Sequence, residues 1–185
     1  KKNFFMRKMY MVLLATILIT AASFAQKGTT FIGAGGDLVL PSGVSADYFK
    51  TGFGFYAKGL SGVGTAGQIT VTSGYTGFKT TIPAEIASSS GRLIPILLGY
   101  RHNFTGFFVE PQVGYSVLGI TVDDGFDTYT DSDGGFTWAA GIGYVFNNKV
   151  EVSGRYQASS KGGETDAFFG LRLGYNFSLN GPKKQ

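Results

Sequence analysis

From Thr29 onward apolar and polar residues alternate along this chain, and the clearest case is Gly135–Ala158. Phe136, Trp138, Ala140, Ile142, Tyr144 and Phe146 fall on one side of an extended chain. Gly135, Thr137, Ala139, Gly141, Gly143 and Val145 fall on the other. After the polar turn Asn147-Asn148-Lys149, Val150, Val152, Gly154, Tyr156 and Ala158 oppose Glu151, Ser153, Arg155 and Gln157. A period of two belongs to strands, so the segment predicts a hairpin with one apolar, aromatic-tipped face and one small or charged face.

The same rhythm predicts further strands over Thr29–Leu40, Phe49–Ala57, Thr65–Phe78, Arg92–Phe104, Phe107–Ile120 and Thr165–Leu179, making eight with the hairpin. Between them lie Pro41-Ser42-Gly43, the Gly59–Gly64 stretch GLSGVG, Lys79–Gly91, Thr105-Gly106, the acidic Thr121–Gly134 and Ser159–Glu164. Clusters of Gly, Pro, Asn, Asp and Ser are turn chemistry. No segment holds a helical period over its length.

Which face is inside depends on the connections. Those after the second, fourth and sixth strands read as short, and the others as longer and polar. That alternation, with strands of about ten residues, is expected of an up-and-down barrel crossing a membrane. In that arrangement the apolar faces turn outward to lipid, and both termini lie on the periplasmic side. Tyr100, Tyr144, Phe146, Tyr175 and Phe177 then form one aromatic girdle, and Tyr75, Tyr115, Trp138 and Tyr156 the other. The competing reading is a secreted, lipocalin-like cup, in which the charged positions would meet water. The predicted fold is therefore all-β: an eight-stranded antiparallel up-and-down transmembrane β-barrel preceded by a signal peptide.

By parity the lumen receives Asp37, Lys58, Arg101, Glu110, Glu151, Arg155 and Arg172. An eight-stranded barrel is only wide enough for its own side chains. Three acids and four bases in that space are expected to pair as a structural plug. Glu110 and Glu151 as a catalytic carboxylate pair is the alternative, disfavoured because every acid has a candidate Arg.

Composition changes the picture at the N-terminus. Lys1, Lys2, Arg7 and Lys8 precede an apolar run from Met9 to Ala22 and the small stretch Ser23-Phe24-Ala25. This is the pattern of a secretory signal peptide spanning 1–25, with a retained anchor as the alternative. The barrel is then 26–179, followed by a short polar tail, 180–185. The net charge of +4 belongs to those four basic residues, and 12 basic against 12 acidic residues remain. A neutral chain gives no support for nucleic-acid binding. Charged residues make up 15%, well below the ~25% of soluble domains. With no cysteine, disulfides, thiolate metal sites and cysteine nucleophiles drop out.

Candidate chemistry is sparse. His102, the single histidine, sits beside the Asn103–Gly106 turn, at the wrong end for an acyl-modifying enzyme acting on outer-leaflet lipid. Asp123, Asp124, Asp127, Asp131 and Asp133 are weak metal candidates: hard cations want several carboxylates, but the EF-hand spacing is absent. A solvated, mobile loop is the preferred reading. No cofactor is expected.

Four Gly-Tyr pairs (99-100, 114-115, 143-144, 174-175), the segments IPILLGYRHNF and FFVEPQVGYSVLG, and the terminal strand together resemble the small outer-membrane β-barrels, the OmpX-like proteins and the OmpA barrel. The resemblance spans roughly 27–179. Arg172-x-Gly174-x-x-Phe177-x-Leu179 is similar to the C-terminal signal read by the outer-membrane assembly machinery, although it ends on Leu and is followed by Asn180–Gln185. Those few residues imply no peptidoglycan-tethering role. The resemblance implies an integral protein of the Gram-negative outer membrane, in contact with lipid and lipopolysaccharide. It also implies a non-enzymatic role, with extracellular loops serving surface interaction or envelope integrity through a ligand that the sequence does not name. An OmpW-like channel for small or hydrophobic solutes is the alternative.

Overall fold

The computed structural model describes residues 29–81, 88–123 and 127–179. Eight strands run in chain order: β1 (Thr30–Ser42), β2 (Gly52–Val63), β3 (Gly67–Lys79), β4 (Ser88–Asn103), β5 (Phe107–Asp123), β6 (Thr128–Phe146), β7 (Val150–Lys161) and β8 (Glu164–Ser178). Each pairs antiparallel with the next, and β8 returns to β1, so the sheet is a closed barrel. The closing seam runs from Phe31↔Ser178 to Ser42↔Ala167 and places Asp37 opposite Arg172. Closure leaves the described strands no open edge within the barrel wall.

The period of two decides which residues are covered. Along β7, Glu151, Ser153, Arg155 and Gln157 are buried while Val150 and Val152 are exposed. The other strands alternate in the same way, with large apolar residues outward and mostly polar or small residues inward, although Val39, Leu60, Phe78, Leu93, Leu97, Phe108 and Phe168 are also buried. Phe53 is 72% exposed and Leu173 62%, within a continuous belt that includes Ile96, Leu98, Val113 and Ile142. An apolar belt of that extent cannot face water in a stable protein.

The end at which β1 begins and β8 ends is built from tight turns. Gly64 (φ 67°) turns β2 into β3, and Asn147 and Asn148 (φ 50° and 56°) turn β6 into β7. Asn tolerates this left-handed region better than other residues with side chains. At the opposite end the strands run further than the alternation predicts. The acidic stretch 121–134 is mostly a hairpin: Ile120 pairs with Asp131, Thr121 with Thr130, and Asp123 with Thr128. Its Thr, Val and Tyr favour extended backbone, and with water on both faces the ladder continues after the apolar alternation has stopped. Likewise β4 begins at Ser88, and β7 and β8 meet through Gly162-Gly163 (φ 61° and 93°) in place of a long loop. The GLSGVG stretch belongs mostly to β2 and not to a turn.

Phe49, which the pattern assigns to the start of a strand, lies outside β2. A short helix α1 (Ser45–Tyr48) follows β1, and the chain after it folds back so that Phe49 enters the barrel. The predicted signal segment 1–25 and the tail 180–185 lie outside the described residues.

Candidate functional site

The lumen is stacked in layers, and its middle layer is ionic. Lys58 of β2, Arg101 of β4, Glu110 of β5 and Glu151 of β7 meet there. Lys58 Nζ lies 3.0 Å from Glu110 Oε2 and 3.2 Å from Glu151 Oε1. Arg101 Nη2 lies 2.7 Å from Glu110 Oε2 and 2.9 Å from Glu151 Oε2. Each cation therefore touches both acids and each acid both cations, in a closed quartet that is almost wholly buried. The contact to Glu151 Oε2 is an ion pair without hydrogen-bond geometry. Thr70 Oγ1 and Gln112 Nε2 each donate to Glu110 Oε1 at 2.8 Å. Arg101 Nε also donates to Glu110 Oε2, at 3.0 Å.

Aromatic rings complete this layer. The Arg101 guanidinium lies 3.6 Å from the Phe108 ring centroid, and Lys58 Nζ sits 5.7 Å from that of Tyr56. Planar guanidinium over a ring face is a favourable cation–π arrangement, stronger when desolvated. Room for Tyr56 comes from Gly174, which stands opposite Glu151: a Cβ there would come within 2.2 Å of Tyr56 Oη.

A second cluster lies toward the loop-bearing end. Arg172 Nε donates to Asp37 Oδ2 at 3.0 Å, and Arg155 Nη2 is 3.5 Å from the same oxygen. Arg155 Nε and Nη1 and Asp37 Oδ1 have no protein partner. Above the charges comes an apolar layer of Val39, Phe49, Phe78, Leu93 and Phe168, with Phe78 5.5 Å from both Phe49 and Phe168. One lumenal cavity opens above this layer, over Leu93 and Phe168, and another below the quartet, lined by Gln68, Arg101, Asn103 and Asn176. The cavities end at different levels, with the charged layers between them.

The seven residues assigned to the lumen by parity are thus gathered in two clusters. Parity did not single out Tyr56, Phe108, Thr70 and Gln112, although it puts them on the same inward faces. On the outer wall, Tyr100, Tyr144, Tyr175 and Phe177 lie toward the termini, and Tyr75, Tyr115, Trp138 and Tyr156 toward the opposite end. Trp138, Tyr156 and Phe169 form a ladder with centroids 5.5 Å and 4.9 Å apart. His102 packs against Phe104 at 4.8 Å, and its Nδ1 lies 3.5 Å from Tyr100 Oη.

The aspartates of the acidic segment are spread along a hairpin. Asp123 closes β5, Asp127 precedes β6, and Asp131 and Asp133 lie in β6; Asp124 is outside the described residues. Asp133 pairs with Lys161. Among the described residues no group of three metal-ligating side chains is assembled.

A closed antiparallel barrel with an apolar, aromatic-banded exterior and an ionic interior defines a membrane-spanning β-barrel. The chain belongs to the family described as the outer membrane protein beta-barrel domain, whose model matches residues 11–177, and it is an integral outer-membrane protein. No curated protein sequence matches it. Among solved structures it is similar in fold to Ail, the attachment invasion locus protein of Yersinia pestis (TM-score 0.64, 12% identity, 82% of this chain and 100% of that one). It is similar too to neisserial surface protein A (TM-score 0.54, 15% identity, 81% and 97%). A third likeness is the N-terminal barrel domain of Pseudomonas aeruginosa OprF (TM-score 0.54, 16% identity, 82% and 100%).

Proposed function

We propose that this protein is a sealed, non-enzymatic barrel that acts through the surface at its loop-bearing end, which faces the cell exterior while both termini face the periplasm. The observation that carries this reading is the filled lumen. The quartet, the Asp37 cluster and the Phe49 layer succeed one another along the axis of a barrel too narrow to hold more than side chains. The channel alternative asks for an apolar gap beneath the loops, and Phe49, Phe78, Leu93 and Phe168 occupy that level. Glu110 and Glu151 are each engaged by Lys58 and Arg101, which disfavours carboxylate catalysis.

Its partners on this reading are outer-membrane lipid and lipopolysaccharide against the belt, the assembly machinery at Arg172–Leu179, and an extracellular ligand at the acidic segment 121–134. Single-channel recording in planar bilayers tests the sealed lumen. The bare bilayer baseline is expected, and reproducible conductance steps would overturn it. Orientation is tested separately with Thr128→Cys on intact cells: a membrane-impermeant maleimide is expected to label it, and labelling only after permeabilisation would reverse the assignment.

A further inference from the structure

The outer wall is not uniform around its circumference. Where β2, β3, β4 and β5 approach the loop-bearing end, an outward-facing groove of about 440 Å³ crosses the strands. Its floor is Gly77, in register with Phe53 on one side and Arg92 on the other. A Cβ at Gly77 would meet only ordinary contacts, the nearest being the Tyr75 ring at 3.8 Å, so the floor is open space left by the missing side chain. Phe53 and Tyr75 make the flank nearer the middle of the belt.

The opposite rim is cationic and hydroxylated. Lys79, the next outward position on β3, stands there with Arg92, Thr51, Ser90 and Thr121. The Lys50 N–H donates to Lys79 O at 2.8 Å and brings a third basic residue to the same edge. Arg92 extends over Gly119 and donates from Nη2 to Ser132 Oγ at 2.9 Å. Asp123 lies two residues past Thr121 on β5. Among the described residues, none of Lys50, Lys79 and Arg92 is in a salt bridge. The far wall differs: Phe169 is exposed there and packs on Tyr156, while Lys161 has the inward parity of its strand and pairs with Asp133 over the lumenal cavity.

We propose that this groove holds one membrane lipid with a net anionic phosphate headgroup, with an acyl chain over Gly77 between Phe53 and Tyr75 and its phosphate at Lys79 and Arg92. A chain leaving bulk lipid gains little from an apolar wall, so preference must come from the headgroup. Lysine and arginine offer charge-assisted donors to phosphate at the depth where headgroups sit. The proposal gives a site to the lipid contact proposed above. It rests on the membrane-spanning belt and not on which side the loops face, nor on a sealed lumen, so either can fail alone.

The test is native mass spectrometry of the full barrel from zwitterionic detergent, titrated with bisphosphorylated lipid A, phosphatidylglycerol and phosphatidylcholine, with inorganic phosphate as a competing arm. Both anionic lipids are expected to be retained about tenfold better than phosphatidylcholine, as for one charged hydrogen bond gained. Lys79→Gln removes a charge, and Gly77→Leu fills the floor without a backbone clash; each is expected to weaken retention by about tenfold. Gly59→Leu, also outward and with nothing within 4 Å of its Cβ, is the control and leaves retention unchanged. Equal retention of all three lipids, wild-type retention by both groove variants, displacement by inorganic phosphate at lipid-like concentrations, or a Gly77→Leu effect confined to a dimer of the chain would each overturn the proposal.

Discussion

Asp37 and Arg172 stand directly opposite across the seam that closes the barrel, and Arg172 Nε donates to Asp37 Oδ2 at 3.0 Å. The contact joins the first strand to the last, and the same oxygen is also the nearest carboxylate contact of Arg155. A barrel has no closed core until its ends meet. This pair places a buried ionic lock where they do.

Asp37→Asn leaves Arg155 and Arg172 buried together without their carboxylate. The expected cost is ~3–5 kcal/mol, the range found when one partner of a buried pair is removed. Arg155→Met is expected to be close to neutral, because two of the three guanidinium nitrogens of Arg155 already lack a protein partner. Urea unfolding in micelles, followed by the shift between the folded and heat-denatured gel bands, measures both. A larger loss for Arg155→Met than for Asp37→Asn would contradict the assigned pairing.

Phe49 reaches the lumen from a connection, and Gly91 makes room for it: a Cβ at Gly91 would come within 2.4 Å of the Phe49 ring. Phe49→Ala is expected to cost ~3–5 kcal/mol, the range for emptying a packed aromatic site. It is expected to leave the bilayer baseline unchanged, because the quartet below is untouched. Conductance from this variant alone would show that the apolar layer, and not the ion pairs, is the seal.

Trp138 is the only tryptophan in the chain and lies outward in a ring ladder with Tyr156 and Phe169. Its fluorescence is expected to be quenched most by lipids brominated near the headgroup, less by lipids brominated at mid-chain, and little by aqueous iodide. Amphipathic rings sit at that depth. Strong iodide quenching in vesicles would remove Trp138 from the belt.

How much of this was legible in the residues differs from element to element. In β6 and β7 the alternation of Trp138 with Ala139, or of Val152 with Ser153, identifies strands and faces, because lipid on one side and charge on the other impose opposite demands. The tops of β5 and β6 lose that contrast. Around Thr121, Val122, Thr128 and Tyr129 water meets both faces, so hydrogen-bond pairing continues with no pattern to mark it. Parity also places a residue on a face without choosing its partners. That Arg101 meets both Glu110 and Glu151 depends on strand tilt and stagger, which are set only on closure. Phe49 was unreadable for a related reason: its burial follows from the fold of a connection, which no local period encodes.

The most direct test of the sealed barrel uses the absence of cysteine from the chain. Val152 and Ser153 are neighbours on β7, one turned to lipid and the other to the lumen. Single variants Val152→Cys and Ser153→Cys, reconstituted in vesicles, are treated with a small water-soluble thiosulfonate and with a lipid-soluble maleimide. The structure predicts that Val152→Cys reacts only with the lipid-phase reagent and that Ser153→Cys reacts with neither until the barrel is unfolded. Rapid reaction of Ser153→Cys with the water-soluble reagent in the folded state would mean a water-filled lumen and would contradict it.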